Sequence, residues 1–123
     1  MKEIILVFFG GGLGSAFRFL INKMIPNDSF PYSTLVVNLI GSFLIGLIMS
    51  YLIKNNMLKS DYFLVLVVGI CGGLTTFSAF SLENLNLIKS NEIFNSIIYI
   101  LISISFCIIL TYLGYTLMNK ILS

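Results

Sequence analysis

Four long apolar stretches divide the chain, at residues 4–23, 34–53, 62–82 and 93–118, and three polar runs separate them: IPNDSFPYS, KNNMLKSD and ENLNLIKSNE. A membrane-spanning helix needs roughly 20 mostly apolar residues, so the pattern predicts four transmembrane helices joined by those runs. Arg18 is the one charge inside a stretch rather than at its end. Pro26 and Pro31 bracket a turn, and Pro31 stands just before Thr34, where a proline suits an incoming helix. The connectors leave no room for a soluble domain, so residues 1–123 read as a single four-helix membrane domain. No small-residue cleavage pattern follows the first apolar run, which reads as a retained helix.

Composition agrees with this pattern. The chain is 58% hydrophobic and 10% charged, too apolar to cover a water-soluble core with polar surface. It has no histidine, and its two cysteines, Cys71 and Cys107, lie far apart inside apolar stretches. That excludes the usual zinc patterns and a disulfide framework, leaving buried thiols. The net charge of +2 is too small and too dispersed for a nucleic-acid partner. No nucleophile, base and stabiliser cluster together as an enzyme would require.

Charge placement bears on orientation. With four helices, Lys2, Lys54, Lys59 and Lys120 share one side, while Arg18, Lys23 and Lys89 belong to the other. Lys/Arg asymmetry normally fixes topology, and four against three is almost none. Such a balance permits insertion in both orientations; the alternative is that a small bias fixes one. Four helices barely enclose an aqueous path, whereas two copies suffice.

Polar residues recur within the apolar stretches. Thr34, Asn38, Ser42, Gly46 and Ser50 are spaced by four along the second, and Tyr99, Ser103, Cys107 and Thr111 along the fourth. Small polar stripes let helices approach closely in lipid, against a partner or within one chain. Asn38 asks for more, because its amide must be satisfied at membrane depth. The third stretch contains GICGGLTTFSAFSLE, in which Gly72 and Gly73 precede Thr75 and Thr76. Paired glycines and poor helix formers favour a helix broken at mid-membrane. Non-helical backbone is tolerated there where protein or a cavity satisfies it, and its carbonyls are a common cation site. The competing reading is that the glycines only permit tight crossing. Beyond the break, Phe77 and Phe80 offer electropositive ring edges, and Ser78 and Ser81 offer hydroxyls, which together can replace part of an anion's hydration shell.

These stretches carry a resemblance. GGGLGSAFRF at residues 10–19, VNLIGSFLIG at residues 37–46 and GICGGLTTFSAFSLE at residues 69–83 resemble, in order, the signature segments of the Fluc (CrcB) fluoride channels. The resemblance implies an all-α membrane protein that is an antiparallel, dual-topology homodimer in the cell membrane. It would conduct fluoride passively through two pores along the dimer interface. By match to the motifs, the backbone carbonyls of Gly72 and Thr75 would hold a central structural sodium ion. Asn38, Phe77, Phe80, Ser78, Ser81, Tyr99, Ser103 and Thr111 would line the anion path, with Arg18 and Glu83 at vestibules. Cys107 stands where the family's polar track would have a hydroxyl. The main alternative is a small multidrug transporter of dual topology, whose intramembrane first-helix glutamate is replaced here by Arg18, with Glu3 at the very end of the helix. A non-transporting packing subunit is a second alternative, and it leaves Asn38, the break and the aromatic pair unexplained.

Overall fold

The computed structural model describes residues 1–26 and 29–123 and contains no strand among them. Asn27 and Asp28, part of the first connector, lie outside the described residues. Helix α1 spans Lys2–Met24 and α2 spans Tyr32–Lys54. Helix α3 is π-wound over Phe63–Cys71 and continues as α-helix over Gly72–Leu74. Helix α4 covers Phe77–Lys89 and α5 covers Ile93–Ile121. Taking α3 and α4 as one unit, four helical segments are long and apolar enough to cross a membrane. The protein is a multi-pass membrane protein.

Backbone-to-backbone packing holds the segments together. A Cβ placed on Gly10 would lie 2.5 Å from Val65 O and 3.1 Å from Gly69 Cα, so α1 rests directly on the π-wound backbone of α3. Across the α2–α5 seam, a Cβ on Gly46 would strike Thr111 O and one on Gly114 would strike Phe43 O. Thr111 Oγ1 locks the same seam by donating to Ser42 O at 3.0 Å. Thr34, Gly46 and Ser50 of the second-stretch stripe are buried within the chain. Along the stripe, Ser42 and Gly46 therefore meet α5 of the same chain, whereas Thr34 and Asn38 meet Glu83 and Thr76 of the third span.

One expectation is corrected, that for ENLNLIKSNE. Expected as a connector, it is helical through Lys89, and only residues 90–92 link α4 to α5. Phe80, Asn84 and Leu87 recur at helical spacing and are buried, so the inward face of α4 runs straight through the polar-looking segment. Asn84 Nδ2 donates to Phe80 O at 2.8 Å, and Asn84 Oδ1 accepts from Ser96 Oγ at 2.8 Å, which satisfies the buried amide with a helix turn and with α5. Asn91, with φ of 60°, turns the chain immediately afterwards.

Candidate anion cleft

Between α3 and α4, Thr75 and Thr76 are extended, with ψ of 154° and 119°. Three side chains organise them. Thr75 Oγ1 donates to Cys71 O at 2.9 Å, one turn back. Thr76 Oγ1 caps α4 by accepting from Ala79 N at 3.1 Å. Asn38, from α2, grips Thr76 on both sides: its Oδ1 accepts from Thr76 N at 2.8 Å and its Nδ2 donates to Thr76 O at 3.2 Å.

This bonding redirects two donors. In an unbroken helix Thr76 N–H would serve Gly72 O and Ala79 N–H would serve Thr75 O. Here Asn38 and the Thr76 hydroxyl take those donors instead. The carbonyls of Gly72 and Thr75 are thereby left without their helical partners. Gly72 is exposed, with φ of −64°, and a Cβ on it would meet nothing closer than Val67 O at 3.8 Å. Nothing within a single chain therefore demands glycine at this position.

A cleft of about 370 Å³ adjoins the extended pair, walled by α2, α3, α4 and α5. It brings together Asn38, Gly72, Thr75, Phe77, Phe80 and Ser103, and no charged side chain among the described residues lines it. Asn38 spends its acceptor and one N–H on Thr76, which leaves its second N–H uncommitted. Ser103 is 6% exposed, and its hydroxyl has no partner among the described residues. Phe77 is 78% exposed and Phe80 8%, with ring centroids 5.4 Å apart and planes tilted by 39°. Phe80 in turn packs against Tyr99, with centroids 5.0 Å apart and planes tilted by 56°.

The other expected site residues lie off this cleft. Ser78 shares a hydrogen bond with Thr76 Oγ1 at 3.2 Å, and Ser81 donates to Phe77 O at 2.9 Å; both are exposed on α4. Thr111 is committed to Ser42 O and Cys107 O. Tyr99 is fully buried and donates to Glu83 Oε2 at 2.8 Å, while Thr34 donates to Glu83 Oε1 at 2.6 Å. Glu83 is thus held inside α4 by one hydroxyl on each carboxylate oxygen. It also borders a second depression of about 210 Å³ near the α4–α5 turn, with Asn86, Ser90 and Glu92. Arg18 is half-buried on α1 and forms no ion pair among the described residues.

Sequence reasoning missed Thr34 as a support for Glu83. The signal was present, since Thr34 lies one helical turn before Asn38 on the same face of α2. It also missed that Gly41 stands against Thr75, whose Cγ2 occupies the space a Cβ would need. That close approach brings α2 up to the extended residues and lets the short Asn38 side chain reach Thr76.

Residues 5–115 match the family model described as "CrcB-like protein, Camphor Resistance (CrcB)". Among curated proteins, the chain is 42% identical over 125 residues to "Fluoride-specific ion channel FluC" of Flavobacterium psychrophilum, covering 98% of this chain and 100% of that protein. It is 43% identical over 124 residues to the protein of the same name from Gloeothece citriformis, covering 98% and 99%. With the Aquifex aeolicus protein of that name it shares 38% identity over 120 residues, covering 95% and 97%. Matches that run end to end through Asn38 and the Gly72–Phe80 segment establish that this chain belongs to the CrcB family.

Proposed function

We propose that the protein is a passive, fluoride-selective channel that works as an antiparallel homodimer, and that it is not an enzyme. The observation that carries this reading is the cleft, free of charged side chains among the described residues, in which Asn38 and Ser103 donors stand beside two phenylalanine rings. A small anion entering it exchanges water for Asn38 Nδ2, Ser103 Oγ and ring-edge C–H groups. None of these donors carries a full charge, so the anion is held loosely enough to leave. The names of the family relatives identify that anion as fluoride.

The dimer is supported by what one chain leaves open. Gly72, Phe77, Ser78 and Ser81 are all exposed along α3 and α4, and a second copy laid antiparallel against them would close each cleft into a pore. The near-even Lys/Arg distribution suits such a pairing. At the centre, the carbonyls of Gly72 and Thr75, released by Asn38 and Thr76, suit a hard monovalent cation: they are neutral oxygens, with no carboxylate or imidazole beside them. Sodium bound there would place one positive charge near both anion paths and hold the two extended segments together. The small multidrug transporter reading is not favoured, because α1 carries no carboxylate beyond Glu3 and Glu83 is already committed to Thr34 and Tyr99.

The test is efflux from fluoride-loaded liposomes containing the purified protein, read with a fluoride electrode beside chloride-loaded controls. Fluoride should leave rapidly while chloride is retained. Equal efflux of both anions, or no fluoride efflux from protein that elutes folded, would refute the assignment.

A further inference from the structure

The cleft also collects both thiols of the chain. Cys71, on α3, is 2% exposed, and Cys107, on α5, is half-buried; both are free, and both line the cavity that contains Asn38 and Phe80. Ser103 lies one helical turn from Cys107 on the same wall, with its buried hydroxyl unpartnered. Serine in a membrane helix usually bonds to the carbonyl four residues back, as Ser81 does with Phe77 O. Ser103 shows no such bond, and its buried oxygen has no partner among the described residues.

We propose that this cavity is a binding site for a soft monovalent metal ion of the silver(I) or copper(I) class, held by Cys71 and Cys107, with Ser103 Oγ as a neutral oxygen beside it. Thiolate sulfur selects ions of this kind, whereas magnesium and calcium prefer carboxylate oxygen, and none among the described residues lines the cavity. The chain has no histidine, and no set of three His, Cys, Asp or Glu side chains converges among the described residues, so the usual four-ligand zinc site is not offered. A monocation needs fewer donors. The charge balance also fits an apolar wall: one thiol gives up its proton as the metal–sulfur bond forms, and the second binds through its sulfur lone pair while keeping its proton. A thiolate, a thiol and a monocation sum to zero charge, so no net charge is buried. Per metal bound, one S–H bond breaks, two metal–sulfur bonds form, and one proton and the water ligands they displace leave to solvent.

The probe is silver nitrate, titrated into the full-length detergent-solubilised protein in chloride-free buffer. Calorimetry with proton counting should find one silver per chain and about one proton released. Cys71→Ser and Cys107→Ser should each weaken binding at least tenfold, and Ser103→Ala by a smaller factor. X-ray absorption on the silver-loaded unmodified protein should show two sulfur neighbours, and this reading stands even if a variant fails to fold. Two independent silvers per chain, a single sulfur neighbour, or parental affinity in either serine variant would overturn the site. Silver should also block fluoride efflux. That block, unlike the binding, depends on the cleft being the anion path.

Discussion

Two glycines on one helix offer a controlled test of how α1 is seated. Gly10 and Gly12 lie two residues apart in α1, and alanine gains the same intrinsic helix propensity at either, up to about 1 kcal/mol. A Cβ at Gly12 meets nothing within 4 Å, whereas one at Gly10 would lie 2.5 Å from Val65 O, 3.1 Å from Gly69 Cα and 3.3 Å from Val65 C. All three are backbone atoms, so no rotamer change relieves the contact. Restoring an ordinary separation of about 3.4 Å requires α1 and α3 to part by roughly 0.9 Å, and a gap of that size forfeits a quarter to a half of each dispersion contact along the seam. Overpacking of this kind costs about 1–3 kcal/mol. Because the propensity term is common to both variants, their difference isolates packing. At a few degrees per kcal/mol, Gly10→Ala should melt roughly 4–12 °C below Gly12→Ala when helicity is followed by circular dichroism in detergent. Gly10→Ala melting at or above Gly12→Ala would show that α1 does not sit on the α3 backbone as described.

Three further outcomes are expected. Asn38→Leu removes both bonds to Thr76 and strands its backbone groups, so it should lower stability by about 2–4 kcal/mol and abolish fluoride efflux; an unchanged melting curve would contradict the grip on Thr76. Phe77→Ile should silence efflux with little change in melting, because the ring is 78% exposed, whereas Phe80→Ile should also cost about 1–2 kcal/mol through its lost contacts with Phe77 and Tyr99; parental efflux in both variants would make the rings packing residues only. Single cysteines at Lys59 or Ser90, in a background lacking Cys71 and Cys107, should each be labelled partly from both faces of the membrane, and one-sided labelling at both positions would end the dual-topology reading. Asn56 is a poor labelling site, since its φ of 56° disfavours a cysteine.

The spans were legible because hydrocarbon thickness imposes a length that apolar runs report directly, and the predicted stretches differ from the helices mainly by a few terminal residues. The far end of α4 was not. Asn84, Asn86 and Lys89 look like loop composition, and only the burial of Asn84 against Ser96 shows that one asparagine is an interior residue. The stripe on α2 was legible as a packing device, yet spacing by four cannot say whether the facing helix belongs to the same chain. Asn38 was legible as a polar group needing partners at depth; that its partner is both sides of a single peptide residue depends on Gly41 admitting Thr75, a tertiary fact with no local signal. The π winding of α3 likewise has no mark in FLVLVVGIC beyond its apolarity.

That winding has a consequence for how the chain tolerates changes in length. A π-helix closes each hydrogen-bonded loop with one residue more than an α-helix, so Phe63–Cys71 holds slack between Asp61, paired with Lys2 at 2.5 Å, and Thr76, pinned by Asn38. Removing Phe63 or Leu64, which precede the Val65–Gly69 seat against Gly10, can be absorbed by rewinding toward α geometry. The same deletion between Tyr32 and Asn38 in α2 would rotate one part of that helix relative to the other by about 100° and pull the amide away from Thr76 unless α2 were reseated. Deletions among natural variants should therefore be tolerated at the start of the third span and be scarce in α2, so that a membrane helix takes the role usually left to loops.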